Sequence, residues 1–150
     1  MEVKGCAIRL LDLNKRTLEL VSYHGLSEKY LGKGSVDVDR SMAEAMKGKT
    51  VCISNVRKDP RVQYRGEAIE EGICGIVSVP LTIKKRVIGV LRLYTKTSRV
   101  FSKADIGFIE ALAEIGAIAI ENARMYESIK KDYESMMNDI YTFIGYRRSI

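Results

Sequence analysis

From Gly72 to Thr95 the chain sets two apolar, β-branched runs around the charged link Lys84-Lys85-Arg86. This is the pattern of a hairpin whose two strands both lie centrally in a sheet. Val77, Val79, Leu81 and Ile83 share one parity of the first strand, and Val87, Gly89, Leu91 and Leu93 share one parity of the second. Each strand therefore offers a continuous apolar face that must be covered. The other parity carries Ser78, Arg92 and Tyr94, and reads as the wetter side of the sheet, where a ligand would be met. Pro80 has no N–H to donate, so it fits only at a bulge or where pairing stops.

Upstream, Gly5–Leu13 and Thr17–His24 alternate like strands and flank the polar turn Asn14-Lys15-Arg16, which predicts an antiparallel hairpin. Arg9 sits mid-strand in the first, and a charge there demands a partner or an open face. Ser27–Leu31 predicts a short helical turn, with Gly32 and Gly34 marking a loop. Ser41 reads as the N-cap of a helix over Met42–Lys47, with Glu44 completing the capping box and Gly48 stopping it. Thr50–Ser54 predicts a short strand carrying Cys52. The loop Asn55–Tyr64 follows, then a helix over Arg65–Glu71 that ends at Gly72.

From Ser102 the pattern changes period and stays helical, with Ser102 and Asp105 as its capping signature. Ile109, Leu112, Gly116, Ala119 and Ala123 form a stripe of three-four spacing whose small residues permit close approach to the central hairpin. The stripe continues as Tyr126, Ile129, Tyr133, Met136 or Met137, and Ile140. At about 1.5 Å per residue, a helix from Lys103 to Ile140 exceeds roughly 50 Å, more than a domain of this size is wide. The excess predicts a parallel coiled coil with a second copy, flanked by Glu127, Lys130, Lys131 and Glu134, although the step Tyr126–Ile129–Tyr133 reads as a break in the heptad. Phe143–Arg148 is apolar and then basic, and is expected to fold back.

The 150 residues suffice for one domain with a single core, and 46% hydrophobic with 29% charged residues is ordinary for a globular protein. No apolar run approaches a membrane span, and Met-Glu-Val-Lys lacks the regions of a signal peptide, so the expected location is cytoplasmic, with no membrane partner. Cys6, Cys52 and Cys74 show no Cys-x-x-Cys spacing, which argues against zinc and against a disulfide framework and favours buried thiols. The lone His24 has no metal-ligating neighbours and reads as structural. The net charge of +6 arises outside the acidic helical segment, but its basic residues are scattered over several loops without stacking aromatics, which does not favour nucleic acid.

Several of these motifs together resemble the GAF domain family. They are Gly72-Ile73, Ile76-Val77-Ser78-Val79-Pro80-Leu81, Val87-Ile88-Gly89-Val90-Leu91 and Phe101-Ser102 with Asp105, joined by Ile8–Asp12, His24-Gly25-Leu26, Asp59-Pro60-Arg61 and the helix closing on Ala119–Ala123. The resemblance covers about residues 5–127. It implies an α+β, profilin- or PAS-like fold: an antiparallel sheet of five to six strands, a long C-terminal helix on one face, and short helices and loops roofing a small-molecule pocket on the other. Residues 1–127 would be that domain and 128–150 an extension of its last helix that dimerises. The family commonly has a helix before the first strand. Here strand-like residues begin at Gly5, so that helix is expected to be missing, its groove filled by a dimer mate or belonging to a longer protein.

By the same resemblance Met42, Val62, Tyr64, Ile69 and Cys74 would lie near the cavity, Tyr64 offering a flat face with a hydroxyl. The family arrangement places the first strand beside Val87–Tyr94 and so brings Arg9 and Arg92 onto one side, where two guanidiniums suit an anionic ligand. The alternative is that each pairs within the protein, with Glu19 or with backbone carbonyls. Cyclic-nucleotide members carry an Asn-Lys, Phe and Asp-Glu pattern, of which Lys96, Phe101 and Asp105 are present while Thr95 and Ile106 replace the other two; Lys96 and Asp105 are expected to pair as a structural salt bridge. No Cys-His pair supports a bilin. The free methionine sulfoxide reductase branch uses pocket cysteines. Cys52 and Cys74, with Arg57 or Arg61 nearby, are the candidates for that chemistry, but their contexts do not match the branch's pattern. The expectation is thus a sensory domain without catalytic residues that binds a small molecule of unassigned identity and signals as a homodimer. A ligand-free dimerisation scaffold is the alternative.

Overall fold

The computed structural model describes residues 2–12, 17–32 and 40–148, the side chains at 40, 41 and 146–148 excepted. In chain order its elements are β1 (Gly5–Asp12), β2 (Thr17–His24), α1 (Glu28–Leu31), α2 (Arg40–Met46), β3 (Val51–Ile53), α3 (Arg65–Glu71), β4 (Gly75–Ile83), β5 (Arg86–Thr95) and α4 (Lys103–Arg148). The strands form one antiparallel sheet in the order β2-β1-β5-β4-β3. The five-stranded form of the expected sheet is the one adopted. The turn at 14–16 and Gly34 lie outside what is described; α2 begins at Arg40, so Ser41 lies within the helix and is not its N-cap.

The central hairpin closes through Lys84 and Lys85, both in the left-handed region with φ of 48° and 65°. That is the backbone of a two-residue turn whose twist matches the strands, usually supplied by Asn-Gly. Pro80 meets both conditions set for it: β3 stops pairing at Ser78, and the β4–β5 register slips between Leu81 and Thr82. α3 ends as expected at Gly72, whose φ of 82° suits glycine. There Gly72 N–H donates to the Ile69 carbonyl and Ile73 N–H to that of Ala68, closing a Schellman motif.

Register assigns the faces. Cys52 lies opposite Val77, and Val77 opposite Leu93, so the Val77, Val79 and Leu81 face is also that of Cys52. Glu110 of α4 acts electrostatically on Cys52 and accepts a 2.8 Å hydrogen bond from Thr50 Oγ1, which puts the start of α4 on this side. The buried helix positions are Ile109, Ala113 and Ala117. This corrects the expected stripe: four-residue steps, with alanine where the backbone comes closest, bury one line, while Leu112, Ala119 and Ala123 are exposed and Gly116 is only half-buried. The α4 cap is as expected, Asp105 N–H donating to Ser102 Oγ and Ser102 N–H to Asp105 Oδ2. The ion pair to Asp105 differs: Arg99, not Lys96, binds it at 2.9 Å.

On the opposite face, Tyr30 of α1 and Ala68 of α3 pack with Ala7, Ile53, Ile76 and Tyr94, and Met42 and Ala45 of α2 pack with Leu18 and Val90. Tyr30 and Tyr94 meet edge to face at 5.9 Å. α1 and α3 are tied by Ser27, whose N–H and hydroxyl both donate to Glu71.

The chain divides into a unit Met1–Ala117 and a second, Ile118–Ile150, both containing α4 residues. In the first, Phe108, Leu112 and Ile115 are exposed on the helix. In the second, so are Ala119, Asn122, Tyr126, Ile129, Tyr133, Met136, Ile140 and Phe143. Their spacing alternates four and three throughout, so Tyr126–Ile129–Tyr133 continues the heptad and does not break it. Phe143–Arg148 is helical and does not fold back.

Candidate functional site

The face beneath α1, α2 and α3 carries the two arginines. β1 pairs with β5 so that Ala7 faces Arg92 and Arg9 faces Val90, which puts Arg9 and Arg92 on one side of the sheet, on neighbouring strands. Ser78 of β4 lies opposite Arg92, and Arg92 Nε donates to its Oγ at 3.0 Å. The expectation of a wet face is corrected here: Arg9 is 9% exposed, Arg92 7%, and Ser78 is fully buried. Along β5 the order is Val90, Arg92, Tyr94. The guanidiniums thus form a polar layer between the apolar cluster of Met42, Leu18 and Val90 and that of Tyr94, Ile76 and Ala7. A buried cation requires compensating contacts, and neither arginine lacks them.

The remaining predicted residues divide. Val62 and Ile69 pack on the Tyr94 cluster, and Met42 is wholly buried in the Val90 cluster, so these three lie on the two apolar clusters of the arginine face. Tyr64 is half-buried where α3 begins. Cys74 lies in the link to β4, its N–H donating to the Thr95 carbonyl and its own carbonyl accepting from Val56. It is half-buried.

The loop over β3 is held by a network that sequence reading recognised only as a motif. Arg61 donates through Nε and Nη2 to the Asp59 carboxylate at 2.9 and 2.7 Å, through Nη2 to the Cys52 carbonyl at 3.0 Å, and approaches Glu44 of α2 at 3.8 Å. Arg65 donates to the carbonyls of Val56 and Asp59. The hydrogen bond from Arg61 holds the Asp59 carboxyl below its usual range, and Arg61 itself is raised by the same bond. Burial pushes the Cys52 thiol up, against the opposing pull of Arg61. A thiol so shifted is not primed as a nucleophile. Nothing in the sequence flagged Ser78 as the partner of Arg92 beyond its shared parity.

Away from this face, a cavity of about 410 Å³ opens beside the end of β4, lined by Thr50, Val79, Pro80, Lys84, Lys85, Glu110 and Glu114 among others. None of the predicted site residues borders it. Among the described residues no helix is long and apolar enough to cross a membrane, and no cluster of His, Cys, Asp or Glu could hold a metal ion.

Comparison with known proteins places this geometry. The formate hydrogenlyase transcriptional activator of two Salmonella typhimurium strains is 26% identical over 144 residues, covering 91% of this chain. The chain spans only 21% of the length of those curated relatives. Among solved structures, the GAF domain of a phosphoenolpyruvate-protein phosphotransferase from Coxiella burnetii superposes with a TM-score of 0.72 at 20% identity, over 84% of this chain and 76% of that one. A type II free methionine-R-sulfoxide reductase from Thermoplasma acidophilum shares the fold with a TM-score of 0.63 at 16% identity, over 81% and 80%. The sequence model of the GAF domain matches residues 2–121, and with four-fifths of its length so matched the chain belongs to the GAF domain family.

Proposed function

We propose that this chain is a sensory module that binds a small anionic molecule over Arg9 and Arg92 and passes its occupancy to a second copy through α4. The observation that carries the reading is the polar layer itself: two guanidiniums and a serine hydroxyl gathered on one face of the sheet, all three buried, with Thr95 the other buried polar residue among those described. Arg presents a fixed fork of donors to a carboxylate or phosphate, and a desolvated fork is a selective one. Because the arginines have partners already, a ligand anion would exchange with those contacts. That exchange would couple binding to a shift in the roof, since Met42 of α2 and Val62 and Ile69 of the α3 region pack on the apolar clusters of the same face. The likeness to part of a transcriptional activator supports a regulatory role.

Signalling would run through homodimerisation, supported by the heptad of exposed apolar residues on α4. A ligand-free scaffold is the second reading, favoured by the complete burial of Met42 and Val56 in the roof. Native mass spectrometry of the purified protein, repeated after denaturation, tests the sensory reading. A releasable small mass that is absent from the Arg9→Gln/Arg92→Gln variant is the expected result. Retention of that mass by the folded variant would overturn the arginine site, and a clean dimer with no added mass would favour the scaffold.

A further inference from the structure

We infer that Asn122 sets the register and direction in which two copies of α4 pair, an inference that rests on the homodimer proposed above. In the second unit every exposed heptad position from Ala119 to Phe143 is apolar or aromatic except Asn122. The seam alternates steps of three and four residues without interruption, the pattern that two identical helices satisfy by facing each other. Tyr126, Ile129, Tyr133, Met136, Ile140 and Phe143 each leave on the order of 100 Å² uncovered, so a symmetric pair hides roughly 1,200 Å², the lower bound of a stable specific interface.

Within such a seam one residue distinguishes the alternatives. Parallel, in-register pairing is the arrangement that sets Asn122 against Asn122, where the two amides, each both donor and acceptor, satisfy one another across the axis. A slip by one heptad sets it against Ile129 or Ile115, and antiparallel pairing of the 119–143 stretch sets it against Ile140. Each of those arrangements buries an amide without a partner, which is costly. The flanks do not oppose the parallel choice: Lys130 then faces Met125 and Asp132 faces Met137, so no like charges meet.

The test places a single spin label at Asn138, exposed and on the side of the helix away from the seam, in a background with Cys6, Cys52 and Cys74 replaced by alanine. A one-heptad slip offsets one label from the other by about 10 Å along the axis and antiparallel pairing by about 21 Å, so a mixture of pairings lengthens and broadens the distance distribution read by pulsed dipolar spectroscopy. The unaltered seam is expected to give one narrow distance. Asn122→Leu should tighten the dimer by about tenfold and give several distances, because the unpartnered amide no longer penalises the wrong registers. Asn122→Ala, which adds no bulk, should also give several distances. A single unchanged distance in both variants, or several distances with Asn122 present, would overturn the inference and leave the dimer standing. A protein that sediments as a monomer at tens of micromolar would overturn the dimer itself.

Discussion

Gly89 and Gly107 offer the same chemical change, glycine to alanine, with opposite expected signs. Gly89 lies in β5 between Leu10 of β1 and Leu81 of β4. A methyl group built on it would fall onto the carbonyl oxygen of Arg9, 2.8 Å from Leu10 Cδ2 and 3.1 Å from Leu10 Cα. The first and last are backbone atoms, so a rotamer change cannot relieve them and β1 must move away from β5. Overpacking of a dense core costs about 1–3 kcal/mol. Each weakened ladder hydrogen bond adds about 0.5–1.5 kcal/mol, and the smaller entropy of the unfolded alanine chain returns less than about 1 kcal/mol. The net loss is about 3 kcal/mol, a large share of the roughly 5–15 kcal/mol that holds a domain together. Gly107 lies in α4 with nothing within 4 Å of a built methyl group, so Gly107→Ala should stabilise by about 0.5–1 kcal/mol. Urea unfolding followed by the near-ultraviolet dichroism of the buried Tyr30–Tyr94 pair reports the sheet unit, whereas far-ultraviolet signal is dominated by the long helix. A Gly89→Ala protein within about 0.5 kcal/mol of the unaltered one would refute the close approach of β1 to β5 from which the cost is derived.

Lys84→Asn combined with Lys85→Gly should raise stability by about 1 kcal/mol, or about 2–4 °C in Tm, because both positions adopt left-handed backbone that lysine disfavours; an unchanged Tm in a thermal scan would mean the turn is unstrained. Asp59 titrates below its ordinary value in the folded protein, so its contribution is present above about pH 4 and is lost as pH falls through that lower value. Asp59→Asn should therefore be less stable at pH 6, with the gap closing at pH 3 in paired urea titrations, and a gap that widens with acid would contradict the Arg61 pairing. Tyr126→Glu with Tyr133→Glu should shift a dimer to monomer in sedimentation velocity without loss of helicity, since both side chains are mostly exposed in the single chain; an intact dimer would place the interface elsewhere.

The strands and the α3 boundaries were legible in the sequence because alternation and stop signals act locally: Thr17–His24 and Arg65–Glu71 appear with the ends read from their patterns. The buried line on α4 was less so. Three-four spacing alone admits two stripes about one residue, or roughly 100°, apart around the helix. The choice of Ile109, Ala113 and Ala117 over Leu112 depends on how near the helix lies to β4, a tertiary quantity that favours alanine over the larger side chain. Hydrophobicity pointed to Leu112, which lies one residue round from Ala113 on the exposed side of the helix. The Asp105 partner failed for a related reason: Lys96 matches the family's pattern in position, but Arg99 is nearer the helix start and its guanidinium also reaches over Phe101, 5.8 Å from the ring centre. For the arginine layer, the family resemblance gave the shared face and could not give its burial, since three short helices from distant parts of the chain cover that face.

Parity also separates binding from thiol chemistry. Side chains one residue apart on a strand leave the sheet on opposite sides. Cys52 pairs with Val77 and so shares the side of α4 and Glu110, while Val51 and Ile53 on either side of it face Ser78 and Ile76 in the arginine layer's half of the core. A reaction joining Cys52 to a substrate held by Arg9 and Arg92 would have to pass through the sheet. The cation that acts on that thiol, Arg61, is already committed to Asp59 and to the Cys52 carbonyl, and burial outweighs its pull. The fold shared with a reductase thus carries Cys52 and the two arginines of this chain on opposite sides of one sheet. Arg9, Arg92 and Ser78 are all buried, and Arg92 Nε donates to the Ser78 hydroxyl, so the cation layer is built into the core on the side that Cys52 does not face.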